Sequence, residues 1–206
     1  DIRREAENDV SAKSGQDRSL YFYAPKSGCP HSKQNQVLMV LRDDASEASA
    51  QKLLEELKLD ELSEEEHFLV LFPDPQEGGW NYECDPDRDD DIEFLNRCFG
   101  MLRANKRIGV GAFNGMTFYL ATTEAASAMM LTMAALRPIN VPAMMIGQLP
   151  AGYELPEGAL GVEAAAWCPE GLAADYLMKA NGIDKAVTEA DCPEGVAIYL
   201  GRNPEC

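Results

Sequence analysis

The sequence predicts an α/β fold, a mostly parallel central sheet with helices on both faces in a three-layer sandwich. Three observations predict it. Short apolar runs bounded by turn residues recur along the chain, amphipathic helical patterns fall between them, and 206 residues suffice for one such domain. A chain of this length removes roughly 70% of its unfolded surface from water, so one core is the default.

The first strand is expected at "SLYFYAP" (19–25) and the second at "QVLMVLR" (36–42), each rich in β-branched and aromatic residues or leucine. "SEASAQKLLEELKL" (46–59) follows as a helix, with Ser46 as its cap and Leu53, Leu54 and Leu57 on one face. A third strand is read at "HFLVLFP" (67–73). The next helix, "DDDIEFLNRCFGMLRAN" (89–105), opens with three acids suited to the positive end of a helix and carries Ile92, Leu95, Phe99 and Leu102 inward. "MTFYLAT" (116–122) supplies a strand and "EAASAMMLTMAAL" (124–136) a helix. Strands at "AMMIG" (143–147) and "VAIYL" (196–200) flank a final helical pattern, "GLAADYLMKANG" (171–182), closed by Asn181 and Gly182. Strand and helix alternate, which implies parallel pairing and cover on both faces. Residues 1–17 read as a polar N-terminal extension and 18–206 as a single domain.

Composition excludes several classes. Charged residues make up 26% and apolar ones 46%, a globular balance. A net charge of −17 opposes binding to nucleic acid or anionic lipid. No apolar run is long enough to span a membrane, and the chain opens on Asp1 in a polar stretch without a signal-peptide core. The expectation is a soluble protein, cytoplasmic or exported with its leader removed. Six cysteines are scattered without a CxxC pair, which favours reduced thiols and gives no thiolate zinc spacing.

Two motifs that could hold a cofactor fall short. In "CDPDRDDD", Asp85, Asp87 and Asp89 alternate as in a calcium loop, but the sixth position is Asp90 rather than glycine and the twelfth is Asn96. An acidic helix start accounts for them. Gly109, Gly111 and Gly115 in "RIGVGAFNG" do not form GxGxxG. Neither a metal nor another cofactor is expected.

The order and spacing of "SLYFYAP", "VLMVL", "HFLVLFPDPQEGGWNYE", "RDDDIEFLNRCFGMLRANKRIG", "FYLATTEAASAMMLTMAALRP", "VPAMMIG" and "AADYLMKANGID" resemble one group of enzymes. "PDPQEGGWN" and "KANGID" are the most telling pieces. The chain is similar over roughly residues 18–200 to the esterase and polyhydroxybutyrate depolymerase group of α/β-hydrolases. The resemblance implies an α/β-hydrolase-like fold and cleavage of carboxylic esters by a nucleophile on a strained turn, a histidine base, an orienting acid and amide donors for the oxyanion.

Carried onto this sequence, the pattern is degenerate. The elbow falls on Ala121, Thr122, Thr123, Glu124 and Ala125, with Thr123 at the nucleophile position and alanine in place of both glycines. A β-branched residue held at positive φ costs about 1–3 kcal/mol, so a relaxed turn is expected. Ser127, one helical turn on, is the alternative nucleophile, although a hydroxyl there more often bonds a backbone carbonyl. The oxyanion loop reads Arg42, Asp43, Asp44, Ala45, Ser46, where two carboxylates oppose developing negative charge. His31 and His67 do not match the base, whose place lies near the end of the family's domain. Glu154 and Glu157 are displaced from the orienting acid. The base is then either cut off with a C-terminal segment of the domain or was never there.

Trp80 and Asn81, at the C-terminal side of a strand, Arg42 in the oxyanion loop and Glu124 in the elbow are the candidate binding residues. Trp80 is weighed as an exposed ring touching a ligand or as a packing residue. The functional expectation is an impaired ester hydrolase. The alternatives are a binding or interaction protein on a hydrolase scaffold, with a small-molecule or ester ligand, and an active esterase completed by further chain.

Overall fold

A computed structural model describes residues 2–7, 18–26, 36–104, 117–137, 141–159, 165–169 and 196–200. The strands are β1 (Arg3–Glu7), β2 (Arg18–Tyr23), β3 (Val37–Leu41), β4 (Leu69–Pro73), β5 (Thr117–Ala121), β6 (Ala143–Met145), β7 (Ala165–Pro169) and β8 (Val196–Leu200). The helices are α1 (Glu47–Glu56), α2 (Leu59–Glu66), α3 (Asp91–Ala104) and α4 (Glu124–Leu136). The strands form one sheet in the order β1-β2-β4-β3-β5-β6-β7-β8. Pairing is parallel from β4 through β7 and antiparallel at β1/β2, β2/β4 and β7/β8.

This order fixes the layers. The step from β3 to β4 runs one way across the sheet, while β4 to β5 and β5 to β6 run the other way. Right-handed crossovers then place α1 and α2 on one face and α3 and α4 on the opposite one. Side chains confirm the division. Leu20, Phe22, Met39, Leu41, Leu69 and Leu71 join α3 and α4 residues in one core. Tyr21, Tyr23, Val40, Val70 and Phe72, one residue out of phase, join Ala50, Leu54 and Leu59 in a second. The three-layer α/β architecture is as the sequence predicts.

Several boundaries differ. The predicted helix 46–59 begins at its cap, where Ser49 N donates to Ser46 Oγ at 3.1 Å. It breaks at Lys58 (φ 52), after which α2 continues to Glu66. His67, read from sequence as entering a strand, is instead the left-handed C-cap of α2 (φ 59), its N–H bonded to Ser63 O at 2.9 Å. Residues 3–7, inside the stretch read as a polar extension, form the edge strand β1, and β7 is a second strand without a sequence forecast. The predicted helix 171–182, His31 and the glycines at 109, 111 and 115 lie outside the described residues. Among the described residues no helix is long and apolar enough to cross a membrane. Cys84 and Cys98 are free thiols.

Candidate functional site

In an open α/β sheet, ligands bind beyond the carboxyl ends of the strands where successive crossovers turn to opposite faces. Here that crevice lies between β3 and β5, adjacent strands whose following helices lie on opposite faces. Asp43 follows β3, and Thr123 follows β5. The two chain ends are tied together: Thr122 N and Thr122 Oγ1 both donate to Leu41 O, at 3.1 and 3.0 Å.

Thr123 is the N-cap of α4, with φ −139 and ψ 169, ordinary extended backbone. The relaxed turn expected from its β-branched side chain is what forms. Its hydroxyl accepts from Ala126 N at 3.1 Å and donates to Asp43 Oδ1 at 2.8 Å. Asp43 itself is exposed, so its carboxylate stands in the crevice against the hydroxyl. Glu124, also exposed, is the first residue of α4, where a carboxylate favours the positive end of the helix.

Ser127 is fully buried. Its hydroxyl donates to Thr123 O at 2.8 Å and accepts from Gly147 N at 3.0 Å, tying α4 to the segment after β6. A hydroxyl so enclosed does not meet a substrate. That corrects its candidacy as a nucleophile, and the bond to the preceding turn is the one the sequence position suggests.

The binding candidates after β3 and β4 are also internal. Trp80 is 2% exposed, and its indole N–H donates to Arg42 O at 2.9 Å. The exposed-ring reading of Trp80 is thus overturned. Its aromatic surface is in the core and its one polar atom is satisfied there. Asn81 is buried, with its amide nitrogen donating to Asp85 O and Asp89 O at 3.0 Å and its Oδ1 accepting from Asp85 N at 2.9 Å. Asn81 holds the 81–89 loop closed through these bonds, and it also lines a cavity of about 480 Å³ with Cys84, Asp85 and Arg88.

Arg42 is 1% exposed and donates to Pro73 O at 2.9 Å, to Asp74 Oδ1 at 2.5 Å and to Ser46 O at 3.3 Å. Among the described residues its Nε has no partner. Burial draws the guanidinium below its ordinary pKa, while the Asp74 carboxylate opposes that shift. As a ligand contact Arg42 is therefore also corrected. It is a buried brace between the loops after β3 and β4.

A second brace escaped the sequence reading. Arg18 bonds Asp91 Oδ1 at 2.5 Å and the Asp74 carbonyl at 2.7 and 3.1 Å, with its guanidinium 3.5 Å from the centre of the Phe94 ring. Asp91 also accepts from Asn81 N at 2.6 Å and Gln76 Nε2 at 3.0 Å. Arg18 and Asp91 lie 73 positions apart, and no local spacing connects them. Around these braces lies a polar cavity of about 480 Å³ lined by Asp43, Asp74, Gln76, Glu77, Gly78 and Gly79, among others. Gly78 and Gly79 adopt φ of +85 and +87, which the turn after β4 requires and which a side chain would strain. Among the described residues no group of three metal-ligating side chains converges.

This fold is α/β-hydrolase-like. No family model matches the sequence, and no curated protein matches it either. Solved structures do match. An S-formylglutathione hydrolase from Staphylococcus aureus superposes with a TM-score of 0.52 at 8% identity, over 73% of this chain and 57% of that one. The feruloyl esterase module from Clostridium thermocellum gives 0.51 at 11%, over 75% and 56%. A poly(aspartic acid) hydrolase from Sphingomonas sp. KT-1 gives 0.51 at 12%, over 71% and 55%. The chain spans 55–57% of the length of these three structures. Identities this low carry the fold and not the reaction.

Proposed function

We propose that this chain is a hydrolase-fold relative of carboxylic ester hydrolases that holds a small-molecule or ester ligand at the crevice between β3 and β5 without turning it over at Thr123. The observation behind this reading is the Thr123 hydroxyl, which caps α4 and donates to a carboxylate 2.8 Å away. An acyl-transfer site needs a nucleophilic oxygen that donates to a base able to take its proton, and amide donors where the oxyanion forms. Here the acceptor is the Asp43 carboxylate, by class a weaker base than the family's imidazole, and its charge opposes negative charge developing beside it. Losing one member of a catalytic set already costs orders of magnitude in rate.

Hydrolysis of p-nitrophenyl acetate by the native protein and by Thr123→Ala tests the reading. Equal rates, both at background, are expected. A native rate that Thr123→Ala abolishes refutes it. A second reading is favoured by one observation, the larger size of the matching structures. In it, further chain supplies a base, and a longer form of the protein hydrolyses the ester through Thr123.

A further inference from the structure

β3 has a crevice on both of its flanks. On the side away from β5 it pairs with β4, and the helices that follow these two strands, α1 and α3, lie on opposite faces of the sheet. The polar cavity of about 480 Å³ lies there, walled by the loops after β3 and β4 and by the start of β2, and Thr123 is not one of its lining residues. Its volume falls within the roughly 300–1,000 Å³ of small-molecule sites.

One buried side chain on its wall lacks a partner. Tyr21 is 5% exposed and lines the cavity, yet its hydroxyl makes no hydrogen bond among the described residues. The phenol oxygen is not sealed in. Among those residues Arg42 Nε is the fully enclosed side-chain atom without a partner, so the open side of the Tyr21 hydroxyl is the cavity. A phenol this far buried ordinarily finds a partner.

The charges around it define what that partner is. Arg18, on the wall, and Arg42, 5.6 Å from the centre of the Tyr21 ring, are neutralised within the chain by Asp91 and Asp74. Each side-chain nitrogen of Arg18 already donates to one of these aspartates. Asp43 and Glu77 place two further carboxylates on the wall. Asp43 is exposed and forms no ion pair among the described residues, and with Oδ1 accepting from Thr123 its Oδ2 remains an acceptor. A ligand that satisfies both groups brings a positively charged donor to Asp43 and a hydroxyl to Tyr21, whose phenol both donates and accepts.

We propose that this cavity binds a small organic cation in which an ammonium group stands beside hydroxyl groups, the ammonium on Asp43 and a hydroxyl on Tyr21. The same carboxylates disfavour an anion. The site lies on the flank of β3 opposite the crevice at Thr123, so it stands whether or not an ester is turned over there.

Glucosamine and glucose test it, since they share one frame and differ in an ammonium. They are titrated at about pH 6, where an amino group is protonated. Backbone-amide NMR shifts at Asp43, Glu77 and Gly78 should saturate with glucosamine, and glucose should bind about tenfold more weakly. Absence of saturable shifts, or equal affinity for the two sugars, overturns the proposal. Tyr21→Phe keeps every charge and removes the phenol oxygen alone. It should weaken glucosamine severalfold, and an unchanged affinity in the folded variant overturns the proposal. Asp43→Asn alters an exposed side chain and decides the matter if Tyr21→Phe fails to fold. It should abolish the preference for glucosamine over glucose, and a preference that survives it refutes the site. Glu65→Gln/Glu66→Gln removes two exposed carboxylates of α2 and should change nothing. A loss there equal to that in Asp43→Asn reduces the binding to general attraction by a chain of net charge −17 and overturns the proposal. n-Butylamine, an ammonium on an apolar stem like that of lysine, should bind more weakly than glucosamine, and tighter binding refutes the hydroxyl-bearing ligand.

Discussion

Asp74→Ala should destabilise the fold by about 3–5 kcal/mol. The Arg42 side chain is 2% exposed and that of Asp74 8%, so the pair is screened from water. Removing the carboxylate leaves a guanidinium with two carbonyl acceptors, Pro73 O and Ser46 O, and an Nε that already lacks a partner. The rings of Tyr21 and Phe72, with centres 5.6 and 5.9 Å from its carbon, replace little of the lost attraction. For a chain of this size, about 2–4 °C of Tm per kcal/mol makes the loss about 6–20 °C. Urea unfolding at constant m-value measures it. Asp74→Asn, which keeps an acceptor without the charge, should fall between. The double variant Arg42→Met/Asp74→Leu removes the stranded charge and should cost less than Asp74→Ala alone, although the Pro73 carbonyl then loses its donor. A loss below about 1 kcal/mol in Asp74→Ala, the worth of a solvent-exposed pair, would refute the claim that Arg42 has no route to water.

Two further outcomes are expected. Ser127→Ala should cost about 1–3 kcal/mol because it leaves Gly147 N without its acceptor inside the molecule. Urea unfolding and faster amide exchange at Gly147 check it, and a cost under about 0.5 kcal/mol would place water at that bond. Tyr23 is pushed from its ordinary pKa of 10.0 up to about 12 by burial first, then by its hydrogen bond to Glu64 and the charges of Glu64 and Asp60. A phenol with a raised folded pKa contributes stability that is whole below pH 10 and is lost as pH climbs toward 12. Unfolding measured across that window should therefore be less pH-dependent in Tyr23→Phe, and an unchanged slope would show the phenol ionising freely in the folded state.

Where local chemistry determines structure, the sequence was readable. α4 begins and ends where "EAASAMMLTMAAL" does, because a threonine hydroxyl can cap it and a run of small and apolar residues then enters a fully buried layer. Ser46 caps α1 for the same reason. Reading failed where a distant partner decides. "LDELSEEE" has no strong apolar stripe, and the left-handed turn at Lys58 that starts α2 has no glycine to announce it. β1 is a polar pentapeptide whose strand character comes from pairing with β2. At the site, Trp80 and Arg42 carry side chains typical of ligand contacts, yet each is buried by a partner 32 or 38 positions away. The relaxed backbone at Thr123 was legible because a β-branched side chain disfavours positive φ whatever surrounds it.

The same helix terminus that caps through Thr123 also explains the place of Asp43. The first turn of α4 carries the positive end of the helix dipole, an environment that stabilises an anion. In an acyl-transfer site that anion is the transient oxyanion. Here Asp43 brings a carboxylate within hydrogen-bond reach of the cap hydroxyl, at 2.8 Å. The arrangement is stable because the carboxylate remains exposed and loses little hydration, while the hydroxyl gains an ionic acceptor. On the function proposed above, a second negative charge forming in the crevice would stand beside this one. One aspartate thus holds the cap hydroxyl at the crevice and, on that proposal, opposes the charge that ester cleavage would create there.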